Sequence, residues 1–217
     1  MATETDICNR ALTRIGAARI TDIGDNNPSA NNCRQVYDGV RDTVLRAHDW
    51  NFARKRKILA VISGEDYSGW NYAYEYPNDC IKIVEVYNES TADGYVGGRV
   101  IDGEYFASVV DVRGDEIPYE VCANSALNKR RILTNQEDAE LIYTARVENP
   151  TLYDSQFVDA MAWLLAADLC MPLKGDPNLA NQIMQRYTFS LSQAETQDAR
   201  EEETKEPNVS SYESARM

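Results

Sequence analysis

The chain has 217 residues, of which 43% are hydrophobic and 26% are charged, as in ordinary globular domains. Its formal net charge of −13 makes a nucleic-acid-binding protein unexpected, because each phosphate contact needs a lysine or an arginine. Apolar runs stay shorter than the roughly 20 residues that span a bilayer, and the first ten residues lack the pattern of a signal peptide. We therefore expect a protein made in a cytoplasm-like compartment, without membrane contact.

The charge is distributed unevenly along the chain. Residues 1–57 contain ten basic and seven acidic side chains, whereas the remaining residues contain twelve basic and twenty-eight acidic ones. Such an asymmetry suggests that different parts of the surface face different partners.

Two helices are predicted in the first quarter of the chain. Residues 3–16 have apolar side chains at helical spacing, and Thr3 with Asp6 forms a capping pair. Asn27-Pro28 then reads as a helix start, with proline in the first helical position. The helix that follows, residues 29–47, keeps an apolar stripe and places basic residues on its outer face, namely Arg34, Arg41 and Arg46.

The sequence changes character after Lys57. Short runs rich in Val, Ile and Tyr, such as "ILAVI", "WNYAYEY", "CIKIVEVY" and "ELIYTARV", alternate with Gly, Asn, Asp and Pro. This pattern is typical of antiparallel strands in a sandwich or a small barrel.

Helices are predicted again from about residue 153. The segment "DSQFVDAMAWLLAADLCM" is apolar on nearly all sides, which indicates a buried helix. Within it, Asp168 is expected to be buried and paired, with an arginine of the second helix as the candidate partner. Gly175 ends this helix, and Asp176-Pro177 begins the last one.

The predicted order is therefore helix, helix, β insert, helix, helix and tail. This predicts an α+β fold in which the N-terminal and C-terminal helix pairs form a four-helix bundle around an inserted antiparallel β-sandwich or barrel-like subdomain. The boundaries are the N-terminal helix pair at 1–55, the β subdomain at 56–149, the C-terminal helix pair at 150–196 and a flexible acidic tail at 197–217.

No motif in the sequence points to catalysis. P-loop, GxGxxG, HExxH and GxSxG patterns are absent, and His48 is the sole histidine. The five cysteines are far apart, so we expect free buried thiols and no zinc site. We expect no catalytic, cofactor-binding or metal-binding residues, although a carboxylate pair stays open because Asp and Glu are plentiful.

The segment "RAHDWNFARKRK" combines an aromatic pair with the densest basic run of the chain. Trp50 and Phe52 would point to one side of an extended chain and anchor the core at a helix-to-strand corner. The four basic residues after them are expected to pair with acidic neighbours, within the chain or on another copy. They are Arg54, Lys55, Arg56 and Lys57.

The chain resembles the tail tubular protein A family, the head-to-tail adaptors of short-tailed bacteriophages. The resemblance rests on "IG" at the end of the first helix, "WNFA" at Trp50–Ala53, a "PND" turn at 77–79, "LTN" at 133–135 and the helix "FVDAMAWLLAADL". It covers about residues 5–190. Each motif is weak alone, and their order and spacing carry the similarity.

The resemblance implies a structural virion protein at the head-tail junction and no enzyme. It implies a ring, commonly of twelve copies, that joins the portal protein to the next tail component, with DNA only as the passing genome. Charged flanks would pair with neighbouring copies, and Tyr212 in the tail would anchor on the portal. These flanks include Lys129, Arg130 and Arg131. The alternatives are a carboxylate-based glycan hydrolase of a phage tail and a monomeric protein-binding chaperone.

Overall fold

The computed structural model describes residues 2–63, 69–88, 96–101, 104–109, 117–124 and 128–201. The fold class is α+β, as the sequence predicts, with four helices and antiparallel sheets. The chain divides into two compact units. The described parts of Met1–Val44, Trp50–Phe52 and Asn149–Met217 form the first, called here the helical unit. Leu45–Asp49 and the described parts of Ala53–Glu148 form the second, called here the β unit.

The helical unit contains helices from both ends of the sequence. Their bounds are α1 Glu4–Arg14, α2 Pro28–Ala47, α3 Ser155–Lys174 and α4 Pro177–Glu201, and the last residues of α2 belong to the β unit. Helix α3 packs against α1 and against α4. Helices separated by more than a hundred residues in sequence therefore share one core.

The predicted starts of α1, α2 and α4 and the predicted end of α3 are confirmed. Thr3 and Asp6 form a reciprocal capping box, in which each backbone N–H donates to the other residue's side chain at 3.1 Å. The side chain of Asn27 accepts from the N–H of Ala30 at 2.9 Å at the start of α2. Gly175 adopts a left-handed conformation with φ 64°, which ends α3, and Asp176 caps α4.

Helix α3 lies at the centre of the helical unit, because its apolar residues are buried on most sides. By length and composition it is the one helix in the described residues that is apolar enough to cross a membrane, which the short apolar runs of the sequence did not predict. Of its most apolar 18-residue stretch, 56% is buried inside the protein, as in the core helix of a globular unit.

Three details differ from the sequence-based expectations. Asp168 is exposed rather than buried, and it is Asp159, on the same helix, that pairs with an arginine, Arg14 of α1. Arg41, expected on the outer face of α2, is only 5% exposed and binds Asp38 and Asp42 of its own helix. Helix α4 continues to Glu201, so the first residues of the predicted flexible tail are helical.

The β unit contains eight strands in the described residues. They are β1 Arg54–Ile58, β2 Tyr72–Glu75, β3 Cys80–Tyr87, β4 Val96–Ile101, β5 Glu104–Val109, β6 Tyr119–Ala123, β7 Arg130–Thr134 and β8 Glu140–Ala145. All pairings are antiparallel. One sheet has the order β1-β8-β3, a second has the order β2-β7-β6, and β4 pairs with β5.

One hydrophobic cluster draws residues from both three-stranded sheets. Tyr74 and Ile132 come from β2 and β7, and Val86 and Leu141 come from β3 and β8. These four side chains are at most 1% exposed. The cluster therefore joins the two central strands, β7 and β8, in one core.

Strands β1 and β7 were not among the predicted strands. Their sequences, "RKRKI" and "RRILT", begin with basic residues and lack a simple alternation of polar and apolar side chains. Strand β1 forms because it pairs with β8, where Lys55 lies opposite Tyr143. Strand β7 forms between β2 and β6, with Ile132 fully buried.

Candidate functional site: a basic cleft in the β unit

A cleft of about 710 Å³ lies in the β unit where β7 begins. Its basic lining residues come from the two segments that the sequence singled out: Lys57 from β1, and Lys129, Arg130 and Arg131 at the start of β7. One carboxylate, that of Glu75 at the end of β2, also lines it. A chain of net charge −13 thus gathers four positive side chains in one concave site.

Sheet pairing fixes the side chains at the start of β7. Arg131 lies opposite Glu75 of β2 and opposite Cys122 of β6. Its side chain is largely buried, since the residue is 7% exposed. Burial of a guanidinium is costly without compensating groups, and the strand register places one acidic residue, Glu75, opposite Arg131 on the neighbouring strand.

Arg130 is exposed and lies against an aromatic ring. Its guanidinium carbon is 4.0 Å from the centre of the Tyr76 ring, which is within the range of cation–π attraction. The Tyr76 hydroxyl accepts a hydrogen bond from the Cys80 thiol at 3.2 Å. Burial raises the pKa of Tyr76 to about 12, so the ring remains neutral and adds no negative charge to the cleft.

Lys129 is presented by a turn with its own hydrogen bonds. The Asn124 side-chain oxygen accepts from the N–H groups of Asn128 and Lys129, at 2.9 and 3.1 Å. The N–H of Asn124 donates to the carbonyl of Lys129 at 2.8 Å. The backbone of Lys129 is thus held at the cleft while its ammonium group is exposed.

The other basic residues of β1 lie outside the cleft. Lys55 forms an ion pair with Asp79 at 2.8 Å. The Asp79 carboxylate also accepts a hydrogen bond from the Tyr143 hydroxyl at 3.1 Å. Burial raises the pKa of Asp79, but the hydrogen bonds from Lys55 and Tyr143 outweigh this effect, and the net result is a lowered pKa. The guanidinium carbon of Arg56 lies 6.0 Å from the centre of the Tyr87 ring.

Arg54 differs from its neighbours because its side chain is half-buried. Its guanidinium approaches the backbone carbonyl of Asp49 at 3.5 Å. Of the four basic residues after the aromatic pair, Lys57 is therefore the one that the structure brings together with Lys129, Arg130 and Arg131.

Trp50 and Phe52 belong to the helical unit and anchor its core. Phe52 lies in a short 3-10 helix, Asn51–Ala53, rather than in an extended chain. Both rings nevertheless meet Phe157 of α3, with centroid distances of 5.1 and 5.0 Å. The Trp50 indole N–H donates to the carbonyl of Val44 at 2.9 Å. These contacts explain why an aromatic pair stands at this corner.

A second cleft, of about 700 Å³, lies beside α1 in the helical unit. Its innermost cation, Arg14, is already engaged. The guanidinium pairs with the Asp159 carboxylate, donates to the Asp159 carbonyl at 3.0 Å and lies 3.8 Å from the centre of the Trp163 ring. This arginine serves the packing of α1 on α3, which leaves the cleft in the β unit as the stronger candidate site.

The described residues contain no group of three or more His, Cys, Asp or Glu side chains that could hold a metal ion. All five cysteines are free thiols, and four of them are buried, whereas Cys122 is partly exposed. Tyr212, the predicted anchor in the tail, lies outside the described residues. Sequence reasoning missed Glu75 and Tyr76, since neither belongs to a motif and only the pairing of β2 with β7 places them at the cleft.

Comparison with protein-family models gave no match to this chain, and a search of curated proteins gave none either.

Proposed function

We propose that this protein is a head-to-tail adaptor of a short-tailed bacteriophage, a structural virion protein of the tail tubular protein A family. It would form a ring, commonly of twelve copies, beneath the portal protein and join it to the next tail component. The genome would pass through the ring. In this proposal the chain has no cofactor and no membrane contact, and Tyr212 in the C-terminal segment anchors on the portal.

The observation that carries the proposal is the basic cleft. An adaptor must bind protein surfaces on several sides, and buried or clefted arginines beside aromatic rings are typical of such binding surfaces. Arg130 over Tyr76, with Lys57 and Lys129 nearby, has this character. Positive charge concentrated on a strongly acidic protein favours an acidic protein surface as the partner.

The division of the chain also supports the proposal. Helices from both ends of the sequence share one unit, and the β segment between them forms its own. We propose that α1 to α4 complete a four-helix bundle that faces the portal. The shared cluster around Tyr74 and Leu141 favours packing of the two three-stranded sheets as a sandwich, which would face the next tail component.

The test is assembly on a portal ring from the same virus. Purified protein is mixed with portal rings, and the products are examined by mass photometry and negative-stain electron microscopy. An adaptor adds a fixed number of copies per portal and appears as a second ring. A protein that does not bind the portal but hydrolyses bacterial cell-wall glycan would be identified as a hydrolase. Binding as a monomer to an unassembled protein would identify a chaperone.

A further inference from the structure

The sheet β2-β7-β6 carries opposite charges at its two ends. The basic cleft lies where β7 begins, at Arg130. The strand ends at Thr134, and the loop that follows contains Glu137 and Asp138, both exposed. We call residues 135–139 the acidic loop.

The acidic loop is held in one conformation by hydrogen bonds to its backbone and side chains. The carbonyl of Gln136 accepts from the Tyr74 hydroxyl, and the carbonyl of Glu137 accepts from the Asn88 side chain, each at 2.8 Å. Asp138 has a φ of 51°, a left-handed conformation that forms a tight turn. The two carboxylates are therefore presented by a rigid support, which reduces the entropy lost when they bind a partner.

The acidic loop is too far from Lys129 and Arg130, at the start of β7, to pair with them within one chain. Strand β7 has five residues, and at about 3.3 Å per residue it separates the two sites by about 16 Å. An ion pair requires a separation of about 4 Å or less. Within the chain, burial raises the pKa of the Tyr72 hydroxyl, and the negative charge of nearby Glu137 raises it further.

We propose that the basic cleft of one copy receives Glu137 and Asp138 of a second copy of this chain. Such a contact joins two different surfaces of the same protein, so it can repeat from copy to copy, and repetition closes a ring when the rotation permits. This inference rests on the proposed ring and names the surfaces that would form it.

Two observations favour a second copy over a nucleic acid as the occupant. Glu75 lines the cleft, and its charge would repel a continuous row of phosphates but can be tolerated beside one pair of carboxylates. The net charge of −13 repels a nucleic acid along its whole length, whereas a second copy of the same net charge can present one pair of carboxylates to the cleft. A second copy brings its carboxylates on a loop of fixed geometry.

The test is charge reversal with rescue. The cleft variant combines Lys129→Glu with Arg130→Glu, and the loop variant combines Glu137→Lys with Asp138→Asn. Asparagine is chosen at position 138 because it tolerates a positive φ. All four residues are exposed, so the variants should fold, which near-ultraviolet circular dichroism verifies. Arg186→Glu, an exposed change on α4, is the control.

Self-association is measured by sedimentation equilibrium. We expect the cleft variant and the loop variant each to associate at least roughly tenfold more weakly than the wild type, and the combination of both to recover most of the loss. The control should associate like the wild type. Raising the salt from about 0.1 M to about 1 M shortens the Debye length from about 10 Å to about 3 Å and should weaken the wild type.

Several results would overturn the inference. The first is self-association that is unchanged in both variants, and the second is self-association that is weakened in the cleft variant alone. The third is binding of a DNA oligonucleotide by the wild type that disappears in the cleft variant. If wild-type rings assemble on the portal while both variants assemble equally well, the proposed function stands and this contact is wrong. If no ring forms on the portal but the rescue succeeds, the contact stands and the adaptor function fails.

Discussion

The aromatic cluster of the helical unit offers the sharpest test of how this protein is stabilised. Phe157 is fully buried and touches three aromatic rings, with centroid distances of 5.1 Å to Trp50, 5.0 Å to Phe52 and 4.9 Å to Tyr153. Replacing a buried phenylalanine by alanine costs about 3–5 kcal/mol. The three edge-to-face contacts place Phe157→Ala towards the middle of this range, at about 4 kcal/mol.

Phe157→Leu separates the two components of this cost. Leucine keeps most of the buried apolar surface and loses the ring contacts, each of which is worth about 0.5–1.5 kcal/mol beyond burial. We expect Phe157→Leu to cost about 2 kcal/mol. Phe189→Ala is the matched control, because this phenylalanine of α4 is 59% exposed and the same chemical change should cost less than about 0.5 kcal/mol.

Urea unfolding followed by tryptophan fluorescence measures these values. Trp70 belongs to the β unit, so all proteins carry Trp70→Phe, and the signal then comes from Trp50 and Trp163 in the helical unit. With a slope of about 2 kcal/mol per molar urea, Phe157→Ala should lower the midpoint by about 2 M. A loss below about 1 kcal/mol, or equal losses in Phe157→Ala and Phe189→Ala, would refute the assigned role of the cluster.

Two further predictions concern ion pairs, one in each unit. Arg14→Met removes the charged partner of Asp159 and should lower the free energy of unfolding in urea by about 1.5 kcal/mol. The control is Arg19→Met at an exposed position, which should change this free energy by less than about 0.5 kcal/mol. Equal effects of the two variants would contradict the pairing of Arg14 with Asp159. The lowered pKa of Asp79 stabilises the fold above the ordinary value of 3.8, and this contribution is lost as the pH falls through the lowered pKa. Thermal unfolding between about pH 6 and about pH 3 should therefore show a shallower acid decline in Asp79→Asn than in the wild type, and parallel curves would contradict this assignment.

The candidate site could be predicted only in pieces. The sequence singled out Lys57 and Lys129–Arg131 because basic runs stand out in an acidic chain. It did not bring them together, since they are separated by about seventy residues and lie in two different sheets, β1-β8-β3 and β2-β7-β6. Lys55 and Arg56 have the same charge as Lys57 but lie outside the cleft. Which basic residues share a site was decided by the tertiary arrangement of the strands.

Burial in the helices shows the same limit. Arg41 and Asp168 were assigned to the wrong environments because a helical stripe shows which residues share a face, not which face a neighbouring helix covers. Asp159 became the partner of Arg14 because α1 packs on α3, a contact between residues about 145 positions apart. Side-chain partners at this separation depend on the packing of whole elements.

The sequence by itself determined the α+β class and most of the helix ends, although not the end of α4. Thr3, Asn27, Gly175 and Asp176 act through hydrogen bonds or backbone conformations within a few residues, so their roles can be inferred locally. The tertiary structure alone decided that "RKRKI" and "RRILT" are strands. Their backbone hydrogen bonds are made with distant segments, and the free energy that holds them comes from burying Ile132 and Leu141 in a shared core rather than from the propensities of their own residues.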